Sequence, residues 1–516
     1  MRIFWNTGQR NIIKGLDVLG LRQIDQEVER SWVARITTIS IRARYLSLLP
    51  WILSEFFYRE LGPDGQSAVY DDEAEARLAT VLARLEFVVA LSSAQGGRWG
   101  ESGITTGVRG TEYYATQLTI FAGRRKVHLP DDGRSGIYGT YINPCQGFGL
   151  ITFGAGIPQI TPRGKDIVLA RRRAMGEQTH ILEKLFAGGS VTAEELDSEG
   201  RHFSVNGLAA SGEECALLVN AMLHPYDDEA ATVAGYARFG ETIRWACRLS
   251  GEMAGTSASL IGRAYQHAVT STSTSLTGAE KAWAEYELRR RVHFSLELLF
   301  EILTSALSEH THPTIARVIA AISQSKDLAP SLKDGLGMKT FDWTMTVGTL
   351  RQRLRTSAFP QHDLNVRHVR PLTDANRCVH AISLLIACAE QSALRRANGD
   401  FPDRQSYMER VFALIDAGSD RPVTDLIQEI LRHAVVEPHL TATLRKMARG
   451  QRCSLRFYPE GHYLRGTGMA ASAGHSNDRL GNVLGMLADL GVFVRDGGGF
   501  HPAADAVQTL SAIGEF

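Results

Sequence analysis

The stretch TTISIRARYLSLLPWILSEFF, residues 37–57, decides how the N-terminal part of the chain is interpreted. Its large apolar residues recur every three or four positions, which is the spacing of one face of an α-helix. These positions are Ile41, Tyr45, Leu48, Ile52 and Phe56. The hydroxyl of Thr37 or Thr38 is suited to accept a hydrogen bond from a free N–H group of the first turn. The pattern therefore predicts a capped amphipathic helix.

Two arginines and a proline interrupt this pattern. If the segment is helical throughout, Arg42 and Arg44 are about 200° apart around the axis, so we expect one side chain to point inward and the other to stay in water. A buried guanidinium needs a carboxylate or carbonyl partner. Pro50 removes the hydrogen bond to the carbonyl of Leu46, which predicts a kink or the start of a new helix. Two interpretations stay open: a buried packing hub, which we favour, and an arginine pair that binds phosphate or a partner.

The same residues resemble the N-terminal motif of an uncharacterised bacterial family, a domain of unknown function. The motif comprises Thr37, Arg42, Ala43, Arg44, Tyr45, Pro50 and Trp51. A looser resemblance continues in ITPRGKDIVLA, residues 160–170, and in residues 437–465. Genes of that family often lie in antiphage defence islands beside helicases, methylases and ATPases. The resemblance implies a defence setting and carries no reaction with it.

Size and composition indicate a multi-domain globular protein. The chain has 516 residues, of which 44% are hydrophobic and 22% charged. Because Lys+Arg and Asp+Glu are equal at 56 each, any contact with nucleic acid has to come from local basic patches. The six cysteines include no C-x-x-C pair, which predicts neither structural zinc nor disulfides and fits a cytoplasmic location. No apolar run is long enough to span a bilayer, so we expect no membrane partner.

We predict a mainly α-helical, multi-domain fold with small β-hairpins and one or two modules like winged helix-turn-helix domains. Residues 1–93 are predicted to form an N-terminal helical domain that carries the motif. Residues 94–180 are glycine-rich and basic and hold a winged-helix-like module. A helical domain follows over residues 181–450, and a C-terminal winged-helix-like domain over residues 451–516.

The C-terminal segment resembles a winged helix in its order of helix, GVFV strand, RDGGG turn, FHP strand and final helix. In that family the helix before the hairpin usually lies in the major groove, and the wing contacts the backbone. The resemblance implies that Asn477, Arg479 and Asn482 face outward and that Arg495 lies on the wing. The helix also carries two aspartates, and many winged helices bind proteins or are structural. Both alternatives stay open.

Residues 136–175 repeat this order less closely, with Pro144 inside the predicted helix. Thr161 before Pro162 predicts a capped helix start. This region and the residues just before it are more basic than the C-terminal segment, and they are our first choice for phosphate contacts. Ordinary solvated surface is the alternative. The basic residues are Arg124, Arg125, Lys126, Arg134, Arg163, Lys165, Arg171, Arg172 and Arg173.

Motifs of known catalytic classes are missing from the sequence. It contains no GxxxxGK[ST] phosphate loop, no HExxH and no GxSxG. The group Glu309, His310 and His312 lacks a further metal ligand nearby and has the composition of a surface loop. We therefore predict no metal and no cofactor.

Our leading hypothesis is a non-enzymatic, nucleic-acid-associated or adaptor subunit of a multi-gene bacterial antiphage defence system, which binds DNA or a helicase, nuclease or methylase partner. The alternatives are a metal-dependent nuclease assembled from dispersed residues and a pure protein scaffold.

Overall fold

A computed structural model gives the structure of the protein. The described residues are 17, 19–33, 36–61, 71–95, 105–131, 135–154, 156–208, 212–271, 275–309, 314–356, 366–399, 406–448, 453–474, 478–497, 499–504 and 506. These residues are mainly helical, and their strands form two-stranded antiparallel sheets. The expectation of a mainly α-helical chain with small hairpins is therefore confirmed.

The helices, in chain order, are bounded as follows. The first eleven are α1 (Arg22–Trp32), α2 (Tyr45–Leu61), α3 (Asp72–Ala94), α4 (Ala115–Arg124), α5 (Gly136–Gly147), α6 (Pro162–Met175), α7 (His180–Ala187), α8 (Ala193–Glu199), α9 (Glu213–Leu223), α10 (Ala230–Glu252) and α11 (Ser257–Thr270). The next nine are α12 (Gly278–Glu309), α13 (Ile315–Ile322), α14 (Pro330–Leu336), α15 (Val347–Thr356), α16 (Val366–Val369), α17 (Asp374–Ala397), α18 (Ser406–Ala417), α19 (Val423–Ile430) and α20 (Glu437–Ala448). The last is α21 (Arg479–Asp489).

The strands form four separate pairs. They are β1 (Lys126–His128) with β4 (Ser190–Thr192), β2 (Ile151–Gly154) with β3 (Ile157–Ile160), β5 (Phe457–Glu460) with β6 (Tyr463–Gly466), and β7 (Phe493–Asp496) with β8 (Gly499–Pro502). The β2–β3 and β7–β8 hairpins fall where the sequence predicted them. The final helix of the C-terminal module lies largely outside the described residues, so its winged-helix character stays a prediction.

The chain divides into two compact units, each built from two separate stretches. The first unit is Met1–Val28 with Ile261–Ser476, and the second is Glu29–Leu260 with Asn477–Phe516. The four consecutive domains expected from the sequence, with boundaries after residues 93, 180 and 450, stay a prediction.

The first unit is organised around α12 and α17, which pack along each other. Their apolar faces join one large core with residues of α15, α18 and α19. Charged side chains are also buried there: Arg395 of α17 donates to Glu285 of α12 over 3.0 Å, and Glu285 also accepts from Arg289 over 2.9 Å. The charges inside these helices are therefore paired at close range, as burial requires.

The second unit has α2 at its centre, packed against α5 and α6. Helix α2 begins at Tyr45, so the predicted start at Thr37 or Thr38 is wrong. Thr37 instead accepts from the backbone N–H of Ser40 over 3.1 Å and forms a turn. Pro50 lies inside α2 and does not start a new helix. The carbonyl of Leu46, which a proline four residues later leaves free, accepts from the thiol of Cys145 over 3.9 Å.

Helix α6 begins as the sequence predicted. Thr161 accepts from the backbone N–H of Gly164 over 3.0 Å, and Pro162 occupies the first turn. Among the helices of the described residues, none is both long and apolar enough to cross a membrane.

Replacing Gly164 with alanine should destabilise the second unit, because a Cβ atom there would lie 2.2 Å from the carbonyl oxygen of Leu150. That oxygen is held in place, since it accepts from the backbone N–H of Thr161 over 3.2 Å. We expect a loss of about 1–3 kcal/mol in the free energy of unfolding, measured by urea titration. Gly139→Ala on α5 is the control: it has open space within 4 Å and should gain roughly 0.5–1 kcal/mol. Equal stability of the two variants would contradict this account.

Candidate nucleic-acid interface

The side chain of Arg42 is buried and ties the start of α2 to the end of α21. Its Nη1 donates to Asp489 over 2.7 Å, while Nε and Nη2 donate to the carbonyl of Thr106 over 3.1 and 2.8 Å. The backbone N–H of Ala43 donates to the other carboxylate oxygen of Asp489 over 3.1 Å. Both the charge and the hydrogen-bonding capacity of Arg42 are therefore used inside the second unit.

The side chain of Arg44 is buried as well, and it shares a carboxylate with Arg171 of α6. Nη2 of Arg44 lies 3.4 Å from Glu214, and Nη1 of Arg171 lies 2.5 Å from the other oxygen of the same carboxylate. The hydroxyl of Ser47 also donates to Glu214. The ring of Trp51 packs 4.9 Å from the guanidinium carbon of Arg171, a cation–π contact. We call Arg44, Ser47, Arg171 and Glu214 the Glu214 cluster.

Backbone carbonyls supply the remaining partners of the Glu214 cluster. Arg44 donates to the carbonyls of Arg201 and Ser204 over 2.6 and 2.5 Å, and Arg171 to that of His202 over 2.7 Å. These carbonyls belong to the 3₁₀ turn Gly200–His202 and the residues after it, at the C-terminal end of α8. A helix end of this kind leaves carbonyls without helical partners and attracts cations.

The electrostatics of the Glu214 cluster favour its ionised state. Burial by itself would raise the pKa of Glu214, but the positive charges of Arg171 and Arg44 outweigh it and hold the pKa at about 2. The nearby imidazole of His202 responds in the opposite way. Burial, together with the charges of Arg201, Arg44 and Arg171, lowers the pKa of His202 to about 4. At neutral pH the cluster is therefore an ionised carboxylate between two guanidinium groups, beside an uncharged imidazole.

Two tyrosine hydroxyls form further hydrogen bonds that hold the motif residues before and at the start of α2. Tyr141 accepts from the backbone N–H groups of Ile41 and Arg42 over 3.1 and 3.0 Å, and Tyr45 accepts from that of Arg109 over 2.9 Å. The expectation that one arginine of the motif stays in water is wrong. The reason is that both arginines precede α2, so the 100° step between helical residues does not apply to them. These contacts support the packing-hub interpretation.

Most of the predicted basic residues on α6 also form ion pairs or hydrogen bonds within the second unit. Arg172 pairs with Glu55 over 2.7 Å, and Arg173 pairs with Glu213 over 2.6 Å. Arg163 donates to the carbonyls of His224 and Pro225 over 2.9 and 2.8 Å, just after α9. Lys165 differs from them, because it is exposed and makes no ion pair with another described residue.

The side chains on α21 face inward, which corrects the orientation implied by the winged-helix resemblance. Arg479 is 11% exposed and pairs with Glu29 over 3.4 Å, and its Nη1 donates to the carbonyl of Ile36 over 2.9 Å. Asn482 is 9% exposed and donates to the carbonyl of Thr37 over 2.7 Å. Both side chains thus hold the segment before α2. Along the whole of α21 every residue is buried or half-buried, so no face of this helix is open.

Arg495 lies on β7, and its guanidinium carbon is 5.3 Å from the ring centre of Phe500 on β8. It is exposed, as the wing position implied. Asn477 and Arg134 lie outside the described residues, as do His310 and His312.

Exposed basic residues lie at the C-terminal end of helix α4 and just after it. Arg124 and Lys126 are exposed, and neither pairs with another described residue. Arg125 between them has a left-handed backbone (φ 55°) that ends α4, and its guanidinium lies 3.7 Å from Asp197. Of α4 itself only Phe121 is buried.

One face of α4 and the residues at its two ends form a continuous exposed stripe. Gln117, Ile120 and Arg124 are three and four residues apart, so they lie along the same side of α4, while Tyr113 precedes the helix. We call the stripe together with Lys126 the α4 surface: Tyr113, Gln117, Ile120, Arg124 and Lys126. Tyr113 is 77% exposed and Ile120 is 40% exposed. Tyr113, Gln117 and Ile120 were not predicted as site residues, although the spacing of Gln117, Ile120 and Arg124 indicates a shared helix face.

Comparisons with known proteins add no assignment: no family model, curated protein or solved structure matches the chain. Within the described part of the chain, no three histidine, cysteine, aspartate or glutamate side chains are grouped so that they could hold a metal ion.

Substituting Glu214 with glutamine should destabilise the second unit by about 3–5 kcal/mol, because two buried arginines then lose their carboxylate. The control is Glu213→Gln on the adjacent residue, whose pair with Arg173 is exposed (56% and 58%) and should contribute less than about 1 kcal/mol. Urea unfolding at pH 7 measures both. A loss no larger than that of the control would show that the cluster contributes little.

Lowering the pH should reduce the difference between wild type and Glu214→Gln. The pKa of Glu214 is lower in the folded protein, about 2, than in the unfolded chain, about 4.3. The stabilisation by the carboxylate is therefore fully present above about pH 5 and declines as the pH falls towards 2. Urea titrations at several pH values measure this change, and His202 titrates in both proteins. A difference that stays constant down to pH 3 would contradict the assignment.

Proposed function

We propose that the protein is a non-enzymatic DNA-binding subunit that contacts nucleic acid through the α4 surface. The proposal rests on one observation: some of the predicted basic residues are bound inside the fold, and others are exposed. Arg163, Arg171 and Arg479 are committed to carbonyls or carboxylates of the second unit, whereas Arg124 and Lys126 are exposed and make no ion pair with a described residue. Cations in this state can neutralise phosphates without first breaking an internal contact.

The local charge supports the same surface. Residues 112–128 contain one acid, Glu112, and three positively charged residues, Arg124, Arg125 and Lys126. The basic residues lie together at the C-terminal end of α4 and on β1, where the helix dipole also favours positive charge. An electrically neutral chain can therefore present a local positive patch, which is the form of nucleic-acid site that its composition allows.

The exposed Tyr113 favours single-stranded nucleic acid over duplex. Its ring packs edge-on against Tyr114, with ring centres 4.8 Å apart, and most of its surface remains open. Surfaces that bind single strands combine aromatic rings, on which bases stack, with cations that follow the backbone. Tyr113 lies at one end of α4, and Arg124 and Lys126 lie at the other.

The proposed setting is a multi-gene bacterial antiphage defence system. It rests on the resemblance of Arg42, Arg44, Tyr45, Pro50 and Trp51 to the motif described above. In that setting a subunit without its own chemistry would bring a helicase, nuclease or methylase to DNA. Co-purification of such a protein without any DNA binding would favour the scaffold interpretation instead.

Removing the two exposed cations of the α4 surface should weaken DNA binding and its dependence on salt. For the variant Arg124→Ala/Lys126→Ala, we expect the slope of log affinity against log salt to fall by about 0.7 for each lost contact with a single strand. Tyr113→Ala should cost about 1–3 kcal/mol for the lost stacking, with Tyr113→Phe close to wild type. Electrophoretic shift assays with single-stranded and duplex oligonucleotides across salt concentrations measure both effects.

The control for charge is Arg317→Ala/Lys333→Ala, which removes two exposed cations of the first unit that make no described ion pair. It should bind DNA as wild type does. If wild type binds neither oligonucleotide at low salt, the proposal fails. If the control variant loses as much affinity as the α4 variant, the binding is not located at α4.

A further inference from the structure

The first unit contains an open groove that the proposed DNA contact does not use. Its volume is about 410 Å³, within the range of small-molecule sites in proteins. Part of its wall is the segment before α1 and the start of that helix; the rest comes from α18, α20 and the turn that precedes α20. The lining residues are Leu19, Gly20, Leu21, Ile24, Tyr407, Arg410, His433, Glu437, Pro438, Thr441, Ala442 and Arg445.

The groove combines an apolar floor with a positive rim. Tyr407, Pro438 and Ala442 are half-buried and offer apolar surface to the groove. Leu19, Leu21 and Ile24 are buried behind this surface. Arg410 and Arg445 are exposed, and neither makes an ion pair with another described residue. The acid of the lining, Glu437, accepts from Nδ1 of His433 over 2.9 Å. The rim thus carries two guanidinium groups that form no ion pair with a described carboxylate, and one carboxylate, Glu437, that is bound to His433.

The backbone beside this groove has an unusual form. Residues Leu431–Val436 form a π-helical segment between α19 and α20. Such segments are rare, and they occur frequently at functional sites because the extra residue re-aims side chains. Tyr407 of α18 donates to the carbonyl of Ala434 within this segment over 2.5 Å. His433, which is part of the π-helical segment, lines the groove.

The segment opposite is fitted closely to α20. A Cβ atom at Gly20 would lie 3.2 Å from the Cβ atom of Ala442, and Gly20 has a left-handed backbone (φ 72°). Lys446 donates to the carbonyl of Asp17 over 2.5 Å. These contacts hold the two walls of the groove together, so the groove is part of the packed fold of the first unit.

We propose that this groove binds a small organic anion with an apolar body, whose phosphate or carboxylate group is held by Arg410 and Arg445. The half-buried side chains of Tyr407, Pro438 and Ala442 contact the apolar body, and removing their remaining surface from water makes binding favourable. Guanidinium groups hold carboxylates and phosphates through paired, charge-assisted hydrogen bonds. The guanidinium of Arg410 lies 5.8 Å from the ring centre of Tyr407, an arrangement that orients it beside the groove.

The test is a fluorescence or calorimetric titration of the full chain with three naphthalene compounds. 1-Naphthyl phosphate and 1-naphthylacetate carry the two candidate anionic groups, and 2-(1-naphthyl)ethanol is their neutral analogue. We expect at least one anion to bind about tenfold or more tightly than the alcohol. The stronger of the two anions identifies the natural head group as phosphate or carboxylate.

Variants locate the binding at the groove. Arg410→Ala/Arg445→Ala should weaken the anion about tenfold or more and leave the alcohol unchanged. Thr441→Trp, which adds bulk to the lining, should abolish binding of both anion and alcohol. The matched control is Arg317→Ala/Arg353→Ala, which removes two other exposed arginines of the same unit and should bind as wild type does. Circular dichroism confirms that each variant is folded.

Two outcomes would overturn the proposal. One is equal affinity of wild type for the alcohol and for both anions, which would mean that the rim charges do not act on a ligand. The other is wild-type affinity for the anion in folded Arg410→Ala/Arg445→Ala protein. Neither outcome affects the DNA contact proposed for α4, because that contact is tested with oligonucleotides and with variants of the second unit.

Discussion

One buried carboxylate, that of Glu214, sets the arrangement of the second unit. Desolvating a charged group costs several kcal/mol, so Arg44 and Arg171 can be inside only if both are compensated. Glu214 neutralises one positive charge, with contacts of 3.4 and 2.5 Å to the two arginines. The second charge faces the carbonyls after α8, which carry partial negative charge at a helix C-terminus. The cluster therefore fixes α2, α6 and α9 and the turn after α8 at one point.

The same requirement explains why the arginines around α2 and α21 are not open for binding. A buried arginine has a defined partner, and the partner must come from a different element if it is to stabilise tertiary structure. Arg42 reaches Asp489 at the end of α21, and Arg479 at the start of α21 reaches Glu29. Both ends of α21 are thus held by ion pairs with the residues before α2. A helix fixed in this way supports the fold of the second unit, and the nucleic-acid contact that we propose lies on α4 instead.

Features set by neighbouring residues could be predicted from the sequence, and features set by distant residues could not. The helical class, the two hairpins and the cap formed by Thr161 depend on short patterns, and the structure has them. The start of α2 was misplaced, because a regular apolar spacing continues through a segment that is a turn. The inward position of Arg479 depends on Glu29, 450 positions earlier in the sequence, and no local pattern encodes such a pairing. The groove of the first unit is likewise assembled from residues around positions 20, 410 and 440. Because these residues are far apart in the sequence, no local pattern predicts the groove.

Comparison of the two classes of arginine gives a physical criterion for function in this chain. Arginines with a carboxylate or carbonyl at short distance, such as Arg44 and Arg171, have their hydrogen-bonding capacity directed into the fold. Arg410 and Arg445 have no carboxylate partner among the described residues, and both lie at one concave surface with an apolar floor. An isolated exposed arginine is common and does not indicate a binding site, because water solvates it well. Two exposed arginines at the rim of one groove, beside a π-helical segment, form a surface to which an anion can bind. The same reasoning distinguishes α4, where the free cations lie on a convex helix and suit an extended polyanion.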